Sequence, residues 1–233
     1  MDSALVLRMK VDQNKEISDS FDYLDHSDII KNYAKMTKLK PLGKIFALIG
    51  LAEIPYAEKL PITQELLAFV NQNLSTSEGF SFTGKLEEIV PCYIGIGKTM
   101  RALLTYQEKV DPHDEKVNAL IEQGVDYMLQ HNLYQRLSTG HPISPHITES
   151  MFPQSYVLSL TDLMYIIEKS QYTTDPRAHD LLQLIHQKKT KTGGWKIDYI
   201  YKYAGYLPFE NRRKDSEWIT YLYSPIEKSL RSE

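Results

Sequence analysis

Hydrophobic residues recur along the chain with helical spacing, in two kinds of segment that alternate. In one kind they lie on a single face, as Val117, Leu120 and Ile121 do among Glu, Asn and Gln residues. The other kind is apolar on nearly every side, as in segments 45–52 and 156–167. The first pattern predicts a helix with one wet face, and the second predicts a helix that is buried all round.

Three segments repeat this alternation as a helical hairpin: 41–72, 91–130 and 153–187. Each opens with a proline, turns at a polar or proline-containing link, and closes with a helix that ends in glutamine. Asp114 and either Thr174 or Asp175 suit the start of the second helix in the later units, as N-caps. We predict inner helices near 41–55, 91–107, 153–169 and 216–224, and outer helices near 27–39, 60–74, 114–130 and 176–188.

Alternating buried and half-buried helices are what two concentric layers require. The pattern therefore favours an all-α fold, specifically an α/α toroid with an inner and an outer ring of helices. About four helices fall in each layer, fewer than the six pairs of a full toroid, so a short or open ring is compatible with the sequence. An ordinary helical bundle and a HEAT-like array are the alternatives.

Length and composition limit the number of domains and the kinds of partner. The 233 residues contain no Gly/Ser/Pro-rich linker, so residues 1–233 are interpreted as one domain. The 27 basic and 30 acidic residues give a formal charge of -3, so the chain has no excess of positive charge for binding nucleic acid as a partner. The longest apolar run, 45–54, is well short of the roughly 20 residues needed for a transmembrane segment.

The N-terminus and the cysteine content bear on location. The first residues, MDSALVLRMK, place their charges after the short apolar run, the reverse of a secretory signal. A single cysteine, Cys92, excludes an intrachain disulfide and agrees with a reducing compartment. The sequence therefore predicts a cytoplasmic protein.

A glutamine, a glycine and an aromatic residue follow two of the outer helices: Gln72 precedes Gly79-Phe80, and Gln187 precedes Gly193-Gly194-Trp195. These loops resemble the Gln…Gly…Trp repeats of squalene and hopene cyclases and the Gly-Gly-Phe/Trp loops of protein prenyltransferase β subunits. Segment 90–104 is similar to an inner-helix start of that superfamily. Over roughly residues 41–222 the chain closely resembles small stand-alone bacterial proteins with prenyltransferase-like repeats, and this resemblance implies a toroid.

The chemistry of those relatives is not matched in this chain. The acidic Asp-x-Asp-Asp run of the cyclases is absent. Of the zinc ligands of the prenyltransferases, Cys92 matches the cysteine, but Val90 stands at the aspartate position and segment 153–155 supplies no histidine. His141 and His146 lie five residues apart, which is not the spacing of a helical zinc pair. We therefore expect no metal and no cofactor, and the sequence leaves open whether the protein is an enzyme.

Loops that lead from an outer helix to the next inner helix emerge at one end of a toroid. Loops 134–152 and 193–214 are of this kind, and we expect them to form the mouth of a central cavity. The candidate ligand-binding residues there are of two types. Apolar walls are expected from Tyr93, Tyr156, Trp195 and Trp218, and polar contacts from His146, Glu149, Arg213 and Glu217.

The leading hypothesis is a prenyltransferase-like toroid that binds an apolar or isoprenoid-like small molecule in its central cavity. A rival hypothesis is a carbohydrate-active toroid, hydrolase or lyase, with Glu149 or Asp198 as acid or base. A non-catalytic interaction scaffold is the third. The residues alone do not name the ligand or the oligomeric state.

Overall fold

The computed structural model describes residues 31–32, 35, 41–54, 60–76, 79–80, 93–152, 157–200 and 210–230. Within these ranges, the chain from Pro41 to Leu230 forms seven α-helices, one 3₁₀ turn and one pair of two-residue strands. The all-α prediction is therefore confirmed for this part of the chain. None of the helices described there is long and apolar enough to cross a membrane. Of the predicted helix 27–39, residues 31, 32 and 35 are helical and the others lie outside the described residues.

The chain divides into two compact units, Met1–Gln123 and Gly124–Glu233, called here the N-terminal and the C-terminal unit. The N-terminal unit contains the following elements, the last of which continues past the division: α1 (Pro41–Glu53), α2 (Pro61–Leu74), β1 (Ser75–Thr76), β2 (Gly79–Phe80), α3 (Tyr93–Lys109) and α4 (Glu115–Gln130). Helix α1 packs against both α2 and α3. These four helices agree with the predicted ranges to within two residues at each end.

The beginnings of these helices follow from their sequences. Helices α1 and α2 each start with a proline, which lacks the N–H that a first helical turn cannot use. Asp114 precedes α4, and its Oδ1 accepts hydrogen bonds from the backbone N–H groups of Lys116 and Val117 at 3.0 and 3.1 Å. The prediction of Asp114 as an N-cap is confirmed.

The C-terminal unit contains α5 (Leu160–Lys169), a 3₁₀ turn (Pro176–Ala178), α6 (His179–Gln187) and α7 (Glu217–Leu230). Helix α5 packs against α6 and α7. Asp175 caps the 3₁₀ turn by accepting the backbone N–H of Arg177 at 2.8 Å. The predicted outer helix 176–188 is thus present, with a tighter first turn.

The prediction of one continuous inner helix over 153–169 is wrong, because α5 begins at Leu160 and residues 157–159 are not helical. Residues 153–156 lie outside the described residues. The cause is a local cap. The backbone N–H and the hydroxyl of Ser159 both donate to Oδ2 of Asp162 at 2.9 Å, and Ser159 itself has an extended backbone. A serine that is bonded in this way fixes the first turn one residue later.

The end of α7 also differs from the prediction, since the helix continues to Leu230 instead of ending near residue 224. Pro225 lies inside it and cannot donate to the carbonyl of Tyr221, one turn earlier. The Ser224 hydroxyl donates to that carbonyl at 2.8 Å. Because the carbonyl is satisfied, the helix passes the proline.

Burial separates α3 and α5 from α6 as the sequence predicts. All eight residues from Leu160 to Ile167 in α5 are buried. Helix α3 buries thirteen of its seventeen residues. In α6, by contrast, three of nine residues are buried: Leu181, Leu182 and Ile185. Helices α3 and α5 are therefore enclosed on most sides, and α6 has one buried face. Helix α7, which was also predicted to be an inner helix, buries four of the ten residues from 217 to 226, so the prediction of burial on all sides is wrong for α7.

Candidate ligand-binding site

The two loops predicted to form a mouth lie against each other in the C-terminal unit. Met151 pairs with Tyr199 in an isolated parallel bridge. The backbone N–H groups of Asp198 and Tyr199 donate to the carbonyl of Ser150, at 2.8 and 3.3 Å. The end of loop 134–152 is thus joined to segment 197–199, and residues 201–209 of the second loop lie outside the described residues.

His146 and Glu149 form a close pair in this region. The distance from Nδ1 of His146 to Oε2 of Glu149 is 2.6 Å, and about a third of each side chain is exposed (33% and 34%). The imidazole ring lies 4.3 Å from the ring of Tyr199, measured between centroids. When the ionised carboxylate accepts from Nδ1, the Nε2 atom of the neutral ring can accept a hydrogen bond or a proton from a bound molecule.

Backbone contacts hold Glu149 in place. Its N–H donates to the carbonyl of His146 at 3.1 Å, which closes the turn between the two members of the pair. Its carbonyl accepts the N–H of Leu160, the first residue of α5, at 3.0 Å. The pair is therefore fixed to the beginning of a buried helix, although it lies in a loop.

Asp198 contacts the residue that follows Glu149. Its Oδ2 accepts the backbone N–H of Ser150 at 2.7 Å and the ammonium group of Lys188 at 2.8 Å. The two carboxylates that the sequence suggested as acid or base, Glu149 and Asp198, therefore both adjoin Ser150, one by sequence and the other by hydrogen bonds.

Buried hydroxyl groups continue inward from Ser150. The Tyr223 hydroxyl lies 3.0 Å from Oγ of Ser150 and 3.4 Å from Oγ1 of Thr161. Thr161 in turn donates to the carbonyl of Met151 at 3.2 Å. Tyr223 is fully buried, and this burial raises the pKa of its phenol above the ordinary value. The site thus rests on a hydrogen-bonded layer inside the core.

Trp195 connects α6 to α7. Its indole N–H donates to the carbonyl of Ile185 at 2.8 Å, and its backbone N–H donates to Oγ1 of Thr220 at 3.0 Å. The ring lies edge-on to Tyr223, and the residue is buried. Trp195, predicted from the sequence as an apolar wall, therefore packs within the connection between α6 and α7.

Gly194 precedes this tryptophan at a point of close approach. A Cβ atom there would lie 2.7 Å from Oδ2 of Asp215 and 2.9 Å from Oγ1 of Thr220. Thr190 donates to the same Asp215 oxygen at 2.9 Å, so the carboxylate is held against the glycine. The loop therefore requires glycine at residue 194.

The other predicted site residues are distributed more widely. Trp218 is half-buried and stacks on Phe152, with ring centroids 6.4 Å apart. Tyr93 is buried at the first residue of α3, in the N-terminal unit. Arg213 and Glu217 are exposed, and no contact between described residues joins either of them to His146 or Glu149. Tyr156 lies outside the described residues.

Sequence reasoning missed a set of buried charges in the N-terminal unit. Lys98 and Arg101 in α3 and Glu53 at the end of α1 are 0%, 1% and 2% exposed. All three have interaction partners, and the ammonium group of Lys98 lies 5.4 Å from the centre of the Phe46 ring. The available signal was two basic residues three positions apart in a segment expected to be an inner, buried helix.

Among the described residues, no group of three His, Cys, Asp or Glu side chains could hold a metal ion. Cys92 and Val90, on which the zinc argument depends, lie outside those residues. The absence of zinc near Cys92 therefore stays a prediction.

Comparison with known proteins gives a short result. No protein-family model, curated protein or solved structure matches the chain. The functional argument therefore depends on the site itself and on the sequence motifs.

Proposed function

We propose that this chain is a prenyltransferase-like toroid protein that binds an apolar or isoprenoid-like small molecule, with His146 and Glu149 at the polar end of the site. One observation carries this proposal. The two loops chosen from the sequence as a cavity mouth meet, and at their junction a histidine and a glutamate chosen as polar contacts form a 2.6 Å pair.

Support for the toroid comes from burial. Helices α3 and α5, assigned to the inner layer, are enclosed on most sides, and α6, assigned to the outer layer, buries one face. A two-layered ring needs this difference between its layers. A crystal structure with inner helices that are not surrounded by outer ones would contradict the toroid.

The composition of the site suggests the class of ligand. The His146–Glu149 pair provides one hydrogen-bonding position, and the aromatic surfaces of Tyr199 and of the Phe152–Trp218 stack belong to the same two loops and α7. Such a combination suits a molecule with an apolar body and a single polar head. A prenyl alcohol such as farnesol has this chemistry.

The test is binding of farnesol, measured by native mass spectrometry together with a search for a copurified molecule. His146→Ala removes the contact at Nε2 and is expected to weaken binding about tenfold, the equivalent of one hydrogen bond. His141→Ala is the matched control, because His141 is exposed in the same loop and its side chain makes no contact with the pair. Equal binding by the His146→Ala variant and the unmodified protein would contradict the proposed site.

A second candidate, a carbohydrate-active enzyme, is favoured by the presence of two carboxylates next to Ser150, Glu149 by sequence and Asp198 by a hydrogen bond. Glycoside cleavage needs two carboxylates on opposite sides of the bond that breaks. Incubation with malto- and cello-oligosaccharides distinguishes the two candidates. Products that are lost with Glu149→Gln would support the enzyme, and farnesol binding without products would support the first proposal.

A further inference from the structure

Residues 198 and 199 hold the His146–Glu149 pair from one side at two points. We infer that residues 198 and 199 together form a clasp on this pair. Asp198 is a positioning residue at the first point of the clasp, and Tyr199 is its second point. This inference deepens the proposed function and depends on it for the role of the pair in ligand binding.

The first point of the clasp is at Ser150. Both backbone groups of Ser150 are bonded to residues 198 and 199: its N–H to the Asp198 carboxylate, and its carbonyl to the N–H groups of Asp198 and Tyr199. The Ser150 N–H belongs to the peptide that joins Glu149 to Ser150, so its bond to Asp198 restrains the backbone from which the Glu149 side chain extends. The carboxylate bond is charge-assisted and only 2.7 Å long, which makes it the strongest of the three.

The second point is at His146. The Tyr199 ring covers the imidazole at 4.3 Å, with 33° between the two planes. Since residues 198 and 199 are consecutive, the segment that fixes the Ser150 peptide also fixes the face of the histidine ring. Glu149 then accepts from Nδ1 on the remaining edge.

The clasp is anchored at the end of α6. Lys188 directly follows this helix, and its ammonium group lies 2.8 Å from Oδ2 of Asp198. The lysine keeps the carboxylate in the direction of Ser150 and compensates its charge. The side chains of Lys188 and Asp198 are 26% and 32% exposed, so replacing either one disturbs little of the core.

The experiment compares variants of the full chain by the NMR signals of the His146 ring, in protein with isotope-labelled histidine. His146→Gln assigns these signals among the seven histidines. We expect Asp198→Ala to move them toward the values of an unstructured histidine and to weaken farnesol binding about tenfold. Asp198→Asn keeps an oxygen for the Ser150 N–H and should retain most of the native signal.

Asp215→Ala is the matched control. Asp215 accepts from Thr190 and Thr192 in the same connecting segment and makes no contact with the pair or with Ser150. We expect both Asp215→Ala and Asp198→Ala to lower the melting temperature, whereas the His146 signals should stay in place in Asp215→Ala. Unchanged His146 signals in Asp198→Ala, or equal shifts in Asp215→Ala, would overturn the inference.

The two proposals fail in different ways. If farnesol does not bind and the His146 signals still move in Asp198→Ala, the clasp is supported and the proposed ligand class is wrong. If farnesol binds through His146 and Asp198→Ala changes neither the signals nor the affinity, the proposed function is supported and the clasp is wrong.

Discussion

The two units hold their charges in different ways. In the N-terminal unit, Lys98 and Arg101 are almost completely buried within the enclosed part of α3, residues 95–106. In the C-terminal unit, the His146–Glu149 and Lys188–Asp198 pairs lie on loops, and each side chain is about one quarter to one third exposed. We therefore expect substitutions of the buried charges in the N-terminal unit to change the free energy of unfolding. Substitutions of the loop charges in the C-terminal unit can change ligand binding alone.

A buried charge depends on its surroundings, because no water replaces a lost partner. A half-exposed charge keeps part of its hydration, so its ion pair contributes little to the free energy of unfolding. The loops of the C-terminal unit can therefore carry charged groups for binding at a small cost in stability. The buried charges of α3 are tied to the integrity of the N-terminal unit.

The largest effect is expected from Arg101→Ala. Removing a fully buried side chain together with its charge should lower the free energy of unfolding by roughly 3 kcal/mol, because the remaining groups lose a partner and a cavity forms. Urea unfolding followed by circular dichroism measures this. Arg212→Ala, in an exposed turn, is the control and should change little. A cost below about 1 kcal/mol for Arg101→Ala would remove the contrast between the units.

An intermediate effect is expected from Tyr223→Phe, which tests the buried polar layer of the C-terminal unit. Loss of the hydroxyl between Ser150 and Thr161 should cost about 1 kcal/mol at neutral pH. The raised pKa of Tyr223 adds a pH dependence. Since the unfolded phenol ionises near pH 10 and the folded one only at higher pH, stability falls as the pH rises above about 10.

Tyr223→Phe should make the loss of stability above about pH 10 less steep. Tyr106 and Tyr127 also have raised pKa values because of burial, so some decline should remain. An alkaline profile that is identical in Tyr223→Phe would show that this buried hydroxyl is not coupled to folding.

The smallest effect is expected from Arg177→Ala. Arg177 donates to Asp175 and to Asp126 at 2.8 Å, and its hydrogen bonds hold the pKa of both carboxyl groups below the ordinary value. Side chains of Arg177 and Asp126 are 40% and 51% exposed, so we expect a loss of only about 0.5 kcal/mol at neutral pH.

The sign of the pH dependence follows from the lowered pKa values. The stabilisation is present above the unfolded value near pH 4 and is lost as the pH falls through the lower folded values. The variant and the unmodified protein should therefore become equally stable in acid. A difference between them that persists at pH 2 would mean that Arg177 stabilises by packing.

The sequence was sufficient for α1, α2 and α4, because each of them combines a helical period with a boundary residue. Pro41, Pro61 and Asp114 mark starts that the structure reproduces. The continuous helix over 153–169 was misjudged because Pro153 is a stronger signal in the sequence than the Ser159–Asp162 cap, which acts later in the chain. The hydrophobic pattern predicts α7 only to residue 224, and the Ser224 bond that lets the helix pass Pro225 is not visible in such a pattern.

For the candidate site, sequence reasoning supplied the residues but not their contacts. His146 and Glu149 were chosen because they lie in a long loop, and their three-residue spacing allows a turn that brings them together. The bonds from Asp198 to Ser150 connect residues 48 positions apart, and nothing local predicts them. Lys98 and Arg101 were overlooked because burial of a charge depends on partners elsewhere in the fold.

Both tryptophans of the chain, Trp195 and Trp218, lie in the C-terminal unit. Intrinsic fluorescence excited selectively at tryptophan therefore reports on that unit alone, whereas the far-ultraviolet dichroism of the helices reports on both. Trp195 is enclosed and Trp218 is half-buried, so their emission maxima should also differ. The chain thus carries an internal optical probe, and two denaturation midpoints that disagree between these spectroscopies would show the units unfolding one after the other.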